Sequence, residues 1–275
     1  MLIKTPEEII KIKEGGQIIG RILEDLANMC KPGVSTWEID MAAEKMIIEA
    51  GGRPAFKGYK NKPSDPTFPS TICASVNEEL VHGIAKKEVI LKNGDIFTID
   101  IGMEWPCENQ KSKIKNQNLT SGYYTDTAIT VPIGKIAPKT RELLRVTQES
   151  LEAAIKVIKP GNTVADIGRA IEDFVKSQGR YGIIRDLVGH GVGHAVHEEP
   201  RIPNFYDRSL DFFVLKPGMV IAIEPMVALG CWRVTTATDG WTIVMADGSL
   251  SAHFEHTIIV TKSGNFVATR RPSEL

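Results

Sequence analysis

The sequence predicts an α+β protein built from two similar halves. Helical and strand-like segments come in groups rather than in strict alternation, which disfavours an alternating parallel α/β fold. Three stretches of the first half also recur in the second, in the same order and at nearly one spacing. A further observation, carboxylates inside apolar strand-like runs, points to the chemistry.

The elements follow in order. Thr5-Pro6-Glu7-Glu8 supplies an N-cap, a proline in the first turn and a capping-box glutamate. Ile12, Ile19, Ile22, Leu23 and Leu26 then recur at helical spacing. A second helix starts at Ser35 with Glu38 as its capping partner. Its apolar face is Ile39, Ala42, Ala43, Met46 and Ile47, and Gly51-Gly52 stops it. A third helix is expected from Thr140 to Ile158, with Leu143, Leu144, Leu151, Ile155 and Ile158 on one side. A fourth begins at Thr163, capped by Asp166, and carries Ile167, Ala170, Ile171, Phe174 and Val175. Strand signals cover Ile96–Ile101, Tyr123–Val131, Met219–Ile223, Trp241–Met245, His253–Val260 and Phe266–Arg270.

The repeat is explicit. Lys31-Pro32-Gly33 and the helix after it align without gaps on Lys159-Pro160-Gly161 and its helix, pairing Ser35 with Thr163 and Glu38 with Asp166. Leu91 through Asp100 aligns on Leu215 through Glu224, and Asp126 before Ile129-Thr130-Val131 matches Glu255 before Ile258-Ile259-Val260. A solenoid needs at least three shorter repeats. The expectation is therefore one domain over 1–275, with halves of about 5–135 and 136–262 around a pseudo-twofold axis.

Composition excludes several classes. Apolar residues make up 42% of the 275, enough for a packed core rather than a disordered chain. Thirty-three basic residues against thirty-four acidic ones leave a net charge of −1, so no broad nucleic-acid or membrane-surface footprint is expected. No apolar run reaches the ~18 residues of a membrane span, and the opening Met1–Glu8 lacks a signal-peptide pattern. Cys30, Cys73, Cys107 and Cys231 form no Cys-x-x-Cys and read as buried thiols of a reducing, cytoplasmic compartment.

Asp100 lies inside Ile96–Ile101 and Glu224 ends Val220–Glu224, while the following strand of each half carries Asp126 or Glu255. An unpaired carboxylate in such a strand would cost several kcal/mol. Four brought together repel unless cations neutralise them. Two divalent ions balance four negative charges, and oxygen-rich ligation with an imidazole suits Mn, Fe, Co or Zn. Among the six histidines, His190 and His194 are four apart, as in the zinc pair of a His-Glu-x-x-His helix. However, no Glu follows His190, and the interleaved glycines oppose a regular helix. Those glycines permit close backbone approach to a metal or substrate. His253 and His256 read as core histidines.

These residues resemble the type I methionine aminopeptidases of the pita-bread, creatinase-like metallopeptidase family. The resemblance rests on Ser70 through Gly83, Ile99-Asp100, Thr125-Asp126-Thr127, Gly189-His190-Gly191-Val192-Gly193, His197-Glu198-Glu199-Pro200, Ile223-Glu224-Pro225-Met226 and Phe254-Glu255-His256-Thr257, and it runs from Thr5 to about Lys262. It implies a pita-bread fold, an antiparallel sheet core with outer helices, and removal of N-terminal methionine from peptides and nascent proteins with a small second residue. It implies Asp100, Asp126, His190, Glu224 and Glu255 as ligands of two ions. Asp126 and Glu255 would bridge the ions, with Glu224 also the proton shuttle. His197 would donate to the scissile carbonyl, and His82 would position the first residues of the substrate. Tyr59, Phe68, Cys73 and Trp241 would line the methionine pocket.

Two departures accompany the resemblance. Residues 103–123 read as a polar insertion, from Glu108 to Asn118 above all, where the family has a short hairpin; a solvated loop is the expected form. Val196 stands where an aromatic commonly faces the methionine pocket, so altered pocket shape is expected. Neither a zinc-finger extension ahead of Thr5 nor a type II insertion between His190 and Glu224 is expected. Expected partners are peptide and nascent-chain N-termini, with the ribosome as a further contact, no nucleic acid and no membrane, in a monomer. The rivals are an Xaa-Pro aminopeptidase or dipeptidase of the same fold, and a non-catalytic binding module.

Overall fold

The computed structural model describes residues 2–60, 66–107 and 122–275. In chain order the elements are α1 (Pro6–Met29), α2 (Thr36–Glu49), β1 (Arg53–Pro54), β2 (Ile72–Val76), β3 (Glu79–Val81), β4 (Ile96–Trp105) and β5 (Tyr123–Pro132). There follow α3 (Pro138–Val157), α4 (Val164–Gln178), β6 (Gly182–Ile183), β7 (Gly189–Gly191), β8 (Glu198–Ile202) and β9 (Val220–Ile223). The chain closes with β10 (Met226–Ala228), β11 (Val234–Thr236), β12 (Ile243–Met245), β13 (Ser251–His253), β14 (Glu255–Val260) and β15 (Asn265–Val267).

Three of the four helices start where their caps predict. Thr5, Ser35 and Thr163 each accept the N–H of the third helical residue, whose side chain returns a bond to the cap backbone. The third helix starts at Pro138 rather than Thr140: Pro138 occupies its first turn, and Ala137 caps it without a side chain. Gly16 lets α1 sit against the C-terminal segment, because a Cβ there would come within 2.7 Å of the Ala268 carbonyl oxygen.

The main sheet runs β1-β4-β5-β14-β9-β7-β8, with β2 added to β4 and β15 to β14. Ile19, Leu23, Leu26, Ile39 and Ile47 of α1 and α2 pack on Ile72, Phe97, Ile99 and Ile101. Leu143, Leu151, Ile155, Ile167 and Ile171 of α3 and α4 pack on Ile221, Ile223, Ile258 and Val260. The hydrogen bonding around Gly33 recurs around Gly161. Gly33 N donates to Leu91 O and Leu91 N to Val34 O, at 2.8 and 2.9 Å. Gly161 N donates to Leu215 O and Leu215 N to Asn162 O, at 3.2 and 2.8 Å. Both glycines are left-handed, with φ of +96° and +93°.

Several expectations change. Trp105 pairs with Tyr123, so Met103–Trp105 and Tyr123 are strand rather than insertion. The stretch from Glu108 to Asn118, expected as a solvated loop, lies outside the described residues. The single strand expected over His253–Val260 is two: β13 pairs with β10, the chain breaks at Phe254, and β14 enters the main sheet. The strand expected from Trp241 starts at Ile243, because Asp239 accepts the N–H groups of Trp241 and Thr242 in a turn. Met219 precedes β9, and the last strand is Asn265–Val267 rather than Phe266–Arg270. All four cysteines are free, but Cys231 is exposed and Cys107 half-buried. No helix among the described residues is long and apolar enough to cross a membrane.

Candidate metal centre and adjoining cavity

Strand register assembles the acidic cluster. Asp100 and Glu255 both pair with Ala128, one from each side, across β4-β5-β14. Residues opposite one another in a sheet point to the same face, so these carboxylates flank a side chain too small to fill the space between them. Asp126 lies two residues along on that face, opposite Gly102. His190 and Thr257 both pair with Ala222, in β9, and Glu224 follows at the end of that strand. Two adjacent rows result, with Asp100, Glu255 and Glu224 in one and Asp126 and His190 in the other. Gly102, Ala128 and Ala222 leave the room.

Ligand atoms of Asp126, His190 and Glu255 lie within 4.8 Å of one another. His190 Nε2 is 3.5 Å from Asp126 Oδ2 and 3.7 Å from Glu224 Oε1. Among the described residues, neighbouring acids act on Asp100, Glu224 and Glu255 and the His197 ring acts on Asp126, with no lysine or arginine among the causes. Burial, then Asp126, pushes the Asp100 carboxyl up to about 8. Burial raises Asp126 to about 6 against the pull of His197 and Thr257. Burial, followed by the neighbouring acids, drives Glu224 and Glu255 well above the carboxylate range. Such a cluster suits divalent cations. Their charge would neutralise the repulsion, and the oxygen-plus-imidazole donor set fits first-row ions.

Three further histidines face the cluster. His197 stacks edge-on against His190, with ring centroids 4.5 Å apart, and its Nδ1 is 3.0 Å from the Tyr59 hydroxyl. Burial lowers His82, His190 and His197 to about 4, leaving each imidazole neutral at pH 7. His82 follows β3 with φ of +57°, whereas His190 is inside a strand, so the two do not occupy equivalent local positions. The third is His253. It was expected as a core histidine; instead Nε2 lies 3.5 Å from Glu224 Oε2, and neither ring nitrogen has a hydrogen-bond partner. His256 points away from the cluster, with Nδ1 3.0 Å from Thr269 Oγ1.

A cavity of about 610 Å³ opens over the cluster. Phe68, Cys73 and Trp241 form one apolar wall with Phe56, Tyr59 and Ile84 packed against them, and Phe68 meets Trp241 edge-on at 5.3 Å. His82, His197 and the four acids also line it. Val196 is buried and is not among the residues that line the cavity. Phe56 and Leu187 also line the cavity, neither belonging to a motif read from the sequence, as does Met226 at the end of the Ile223-Glu224-Pro225-Met226 motif.

Residues 10–262 match metallopeptidase family M24. This chain belongs to that family. An M24 metallopeptidase is a metal-dependent hydrolase of peptide bonds. Among relatives, the methionine aminopeptidase 1 of Bacillus subtilis is 43% identical over 98% of this chain and 99% of its own length. That of Aquifex aeolicus is also 43% identical, over 96% and 97%. The solved methionine aminopeptidase of Thermotoga maritima superposes with a TM-score of 0.87 at 41% identity, covering 98% of this M24 chain and all of that one. The prolidase of Pyrococcus horikoshii, 23% identical, shares the fold with a TM-score of 0.73, over 98% of this chain and 64% of its own. The architecture of this M24 protein is thus the pita-bread fold expected of it.

Proposed function

We propose that this M24 metallopeptidase is a methionyl aminopeptidase, removing N-terminal methionine from peptides and nascent proteins in the cytoplasm. The observation that carries this is one cavity in which an acidic floor with neutral imidazoles meets an aromatic and thiol wall. That wall suits an unbranched thioether, because sulfur makes favourable contacts with aromatic edges. The near-full-length likeness to methionine aminopeptidases supports the same reading.

Asp100, Asp126, His190, Glu224 and Glu255 would hold two divalent ions. Ions held there would supply Lewis-acid polarisation of the scissile carbonyl and a nucleophilic water at neutral pH. Glu224 takes up the proton as the water attacks and passes it to the departing amine. His197 donates from Nε2 to the oxygen that becomes negative; neutral at pH 7, it has a proton to give and adds no fixed charge. His82 borders the path of the second residue, so Met-Gly and Met-Ala substrates should exceed Met-Leu. The repeat fits one domain of two halves, each contributing two of the four acids.

The test is release of the first amino acid from Met-Ala-Ser compared with Ala-Pro-Ser, after chelation and add-back of Mn, Co, Fe(II) or Zn. Metal-dependent cleavage of the first peptide alone is expected. Cleavage confined to the second would favour an Xaa-Pro peptidase, and full turnover in a preparation free of metal by elemental analysis would end the proposal.

A further inference from the structure

The turn that delivers His197 is gripped by the residue that follows it. Glu198, the next residue, accepts the backbone N–H groups of His194 and Ala195, the latter at 3.0 Å. The same carboxylate accepts Lys4 Nζ at 2.6 Å, from a residue 194 positions away in sequence. The Lys4 side chain is 1% exposed. Burial opposes ionisation of Glu198, but Lys4 and the two amides hold its carboxyl below the usual range. A lysine is rarely buried so fully unless paired.

Lys4 is itself fixed. Its backbone N–H donates to Gly218 O at 2.8 Å, and Ile3 bridges Met219. The stem lies directly under the turn, since a Cβ on Gly193 would come within 2.5 Å of Lys4 Cε. One turn into α1, Glu8 Oε1 lies 2.8 Å from His194 Nε2. From the other side Tyr124 N donates to Gly193 O at 2.8 Å. The start of the chain and the strand carrying Asp126 therefore clasp the 193–197 turn between them.

We infer that Lys4 is a positioning residue for the reaction: acting through Glu198, it fixes the 193–197 turn and so sets where the His197 imidazole stands over the acidic floor. The inference rests on the donor role given to His197 above. Glu198 closes the turn, and the ammonium of Lys4 ties that carboxylate to the start of the chain, beside the Glu8–His194 and Tyr124–Gly193 contacts. A donor to a developing oxyanion must be placed within a few tenths of an ångström, and misplacement by about 1 Å costs up to ~100-fold in rate.

The experiment uses the metal-loaded full chain. Lys4→Met alone would strand a buried carboxylate and destabilise the protein, so Lys4→Met/Glu198→Gln keeps both shapes without either charge. The double variant should retain metal and lose about 10- to 100-fold in kcat on Met-Ala-Ser, with KM within about threefold. Amide exchange at Ala195 should quicken by about tenfold or more. In a His197→Ala background the same pair should lower kcat less than about twofold, because the tether acts through His197 alone. An undiminished effect in that background overturns the inference, as does loss confined to KM or to metal content. If His197→Ala lowers kcat and the double variant does not, the positioning claim alone fails. If His197→Ala itself leaves kcat unchanged, the role given to His197 fails first and the positioning claim with it.

Discussion

The Tyr59 hydroxyl meets His197 Nδ1 at 3.0 Å, so a side chain read as pocket wall also touches the imidazole expected to act on the substrate. Burial raises the Tyr59 phenol above its usual pKa, keeping it protonated and able to donate. With Nδ1 accepting, the neutral ring carries its proton on Nε2, the nitrogen needed for donation to the oxyanion. Tyr59→Phe should then lower kcat about fivefold, the equivalent of one ~1 kcal/mol hydrogen bond, with metal content unchanged. His197→Ala should lower kcat by about 10² or more. Steady-state kinetics beside elemental analysis check both; metal loss in either variant would contradict the division of roles.

Removal of metal should make stability fall as pH rises. Burial raises Asp126 to about 6, and burial with the repulsion of neighbouring acids raises Asp100 to about 8 and displaces Glu224 and Glu255 the same way. Each folded pKa exceeds its unfolded value, so the native chain binds more protons than the unfolded one across that interval. Stability is then present at low pH and lost as the pH climbs through the folded values. Thermal melts of chelated protein should drop in Tm between pH 5 and 8, and restored metal should remove the drop. A pH-independent melt of the chelated form would show that the four acids do not interact.

The C-terminal turn should respond to pH in the opposite sense. Arg271 contacts Glu274, and His256 Nε2 lies 3.4 Å from Glu274 Oε2. Burial lowers His256, while His256 and Arg271, against the effect of burial, bring Glu274 down to about 2. Both folded values lie below the unfolded ones, so the unfolded chain binds more protons and stability is lost on acidification. The loss should begin below about pH 6.5 through His256 and continue from about 4.5 to 2 through Glu274. Glu274→Gln leaves Arg271 buried without a carboxylate and should cost about 3 kcal/mol at pH 7, read by urea unfolding. It should also flatten the acid limb below pH 4.5; an unchanged limb would assign the acid loss elsewhere.

Local signals and long-range pairing explain what the sequence does and does not disclose. The starts of α2 and α4 are visible because Ser35 with Glu38, and Thr163 with Asp166, are complete within four residues. Asp100 and Glu224 are visible because one interrupts and the other ends an apolar run, and Asp126 and Glu255 because they recur ahead of matching strands in the two halves. By contrast, β7 is a Gly-His-Gly segment without alternation, and only its pairing with β9 and β8 makes it a strand. His253 and His256 look alike in sequence, each within two residues of Glu255. The break at Phe254 turns His253 toward Glu224 and leaves His256 facing Thr269, and nothing local to either residue announces that break.

Side-chain discrimination should be graded and should depend on the aromatic wall rather than on Val196. Phe68 and Trp241 meet edge-on beside Cys73, and this wall makes no hydrogen bond that would separate methionine from leucine. Trp241 Nε1 is buried without a partner, so a polar first residue finds at most one donor there. Norleucine, which keeps the shape of methionine without its sulfur, should lose about 2- to 10-fold in kcat/KM, the worth of the sulfur–aromatic contacts. Leucine, with its branch placed one carbon earlier, should lose about 10- to 200-fold. Phe68→Ala removes one side of the wall and should shrink the methionine-to-leucine ratio to less than about tenfold, because the branch then has space. Val196→Ala should leave that ratio within about twofold, since Val196 does not line the cavity. Competition between Met-Ala-Ser and Leu-Ala-Ser in one reaction reads the ratio directly. A larger shift from Val196→Ala than from Phe68→Ala would place the specificity wall on the 193–197 turn instead.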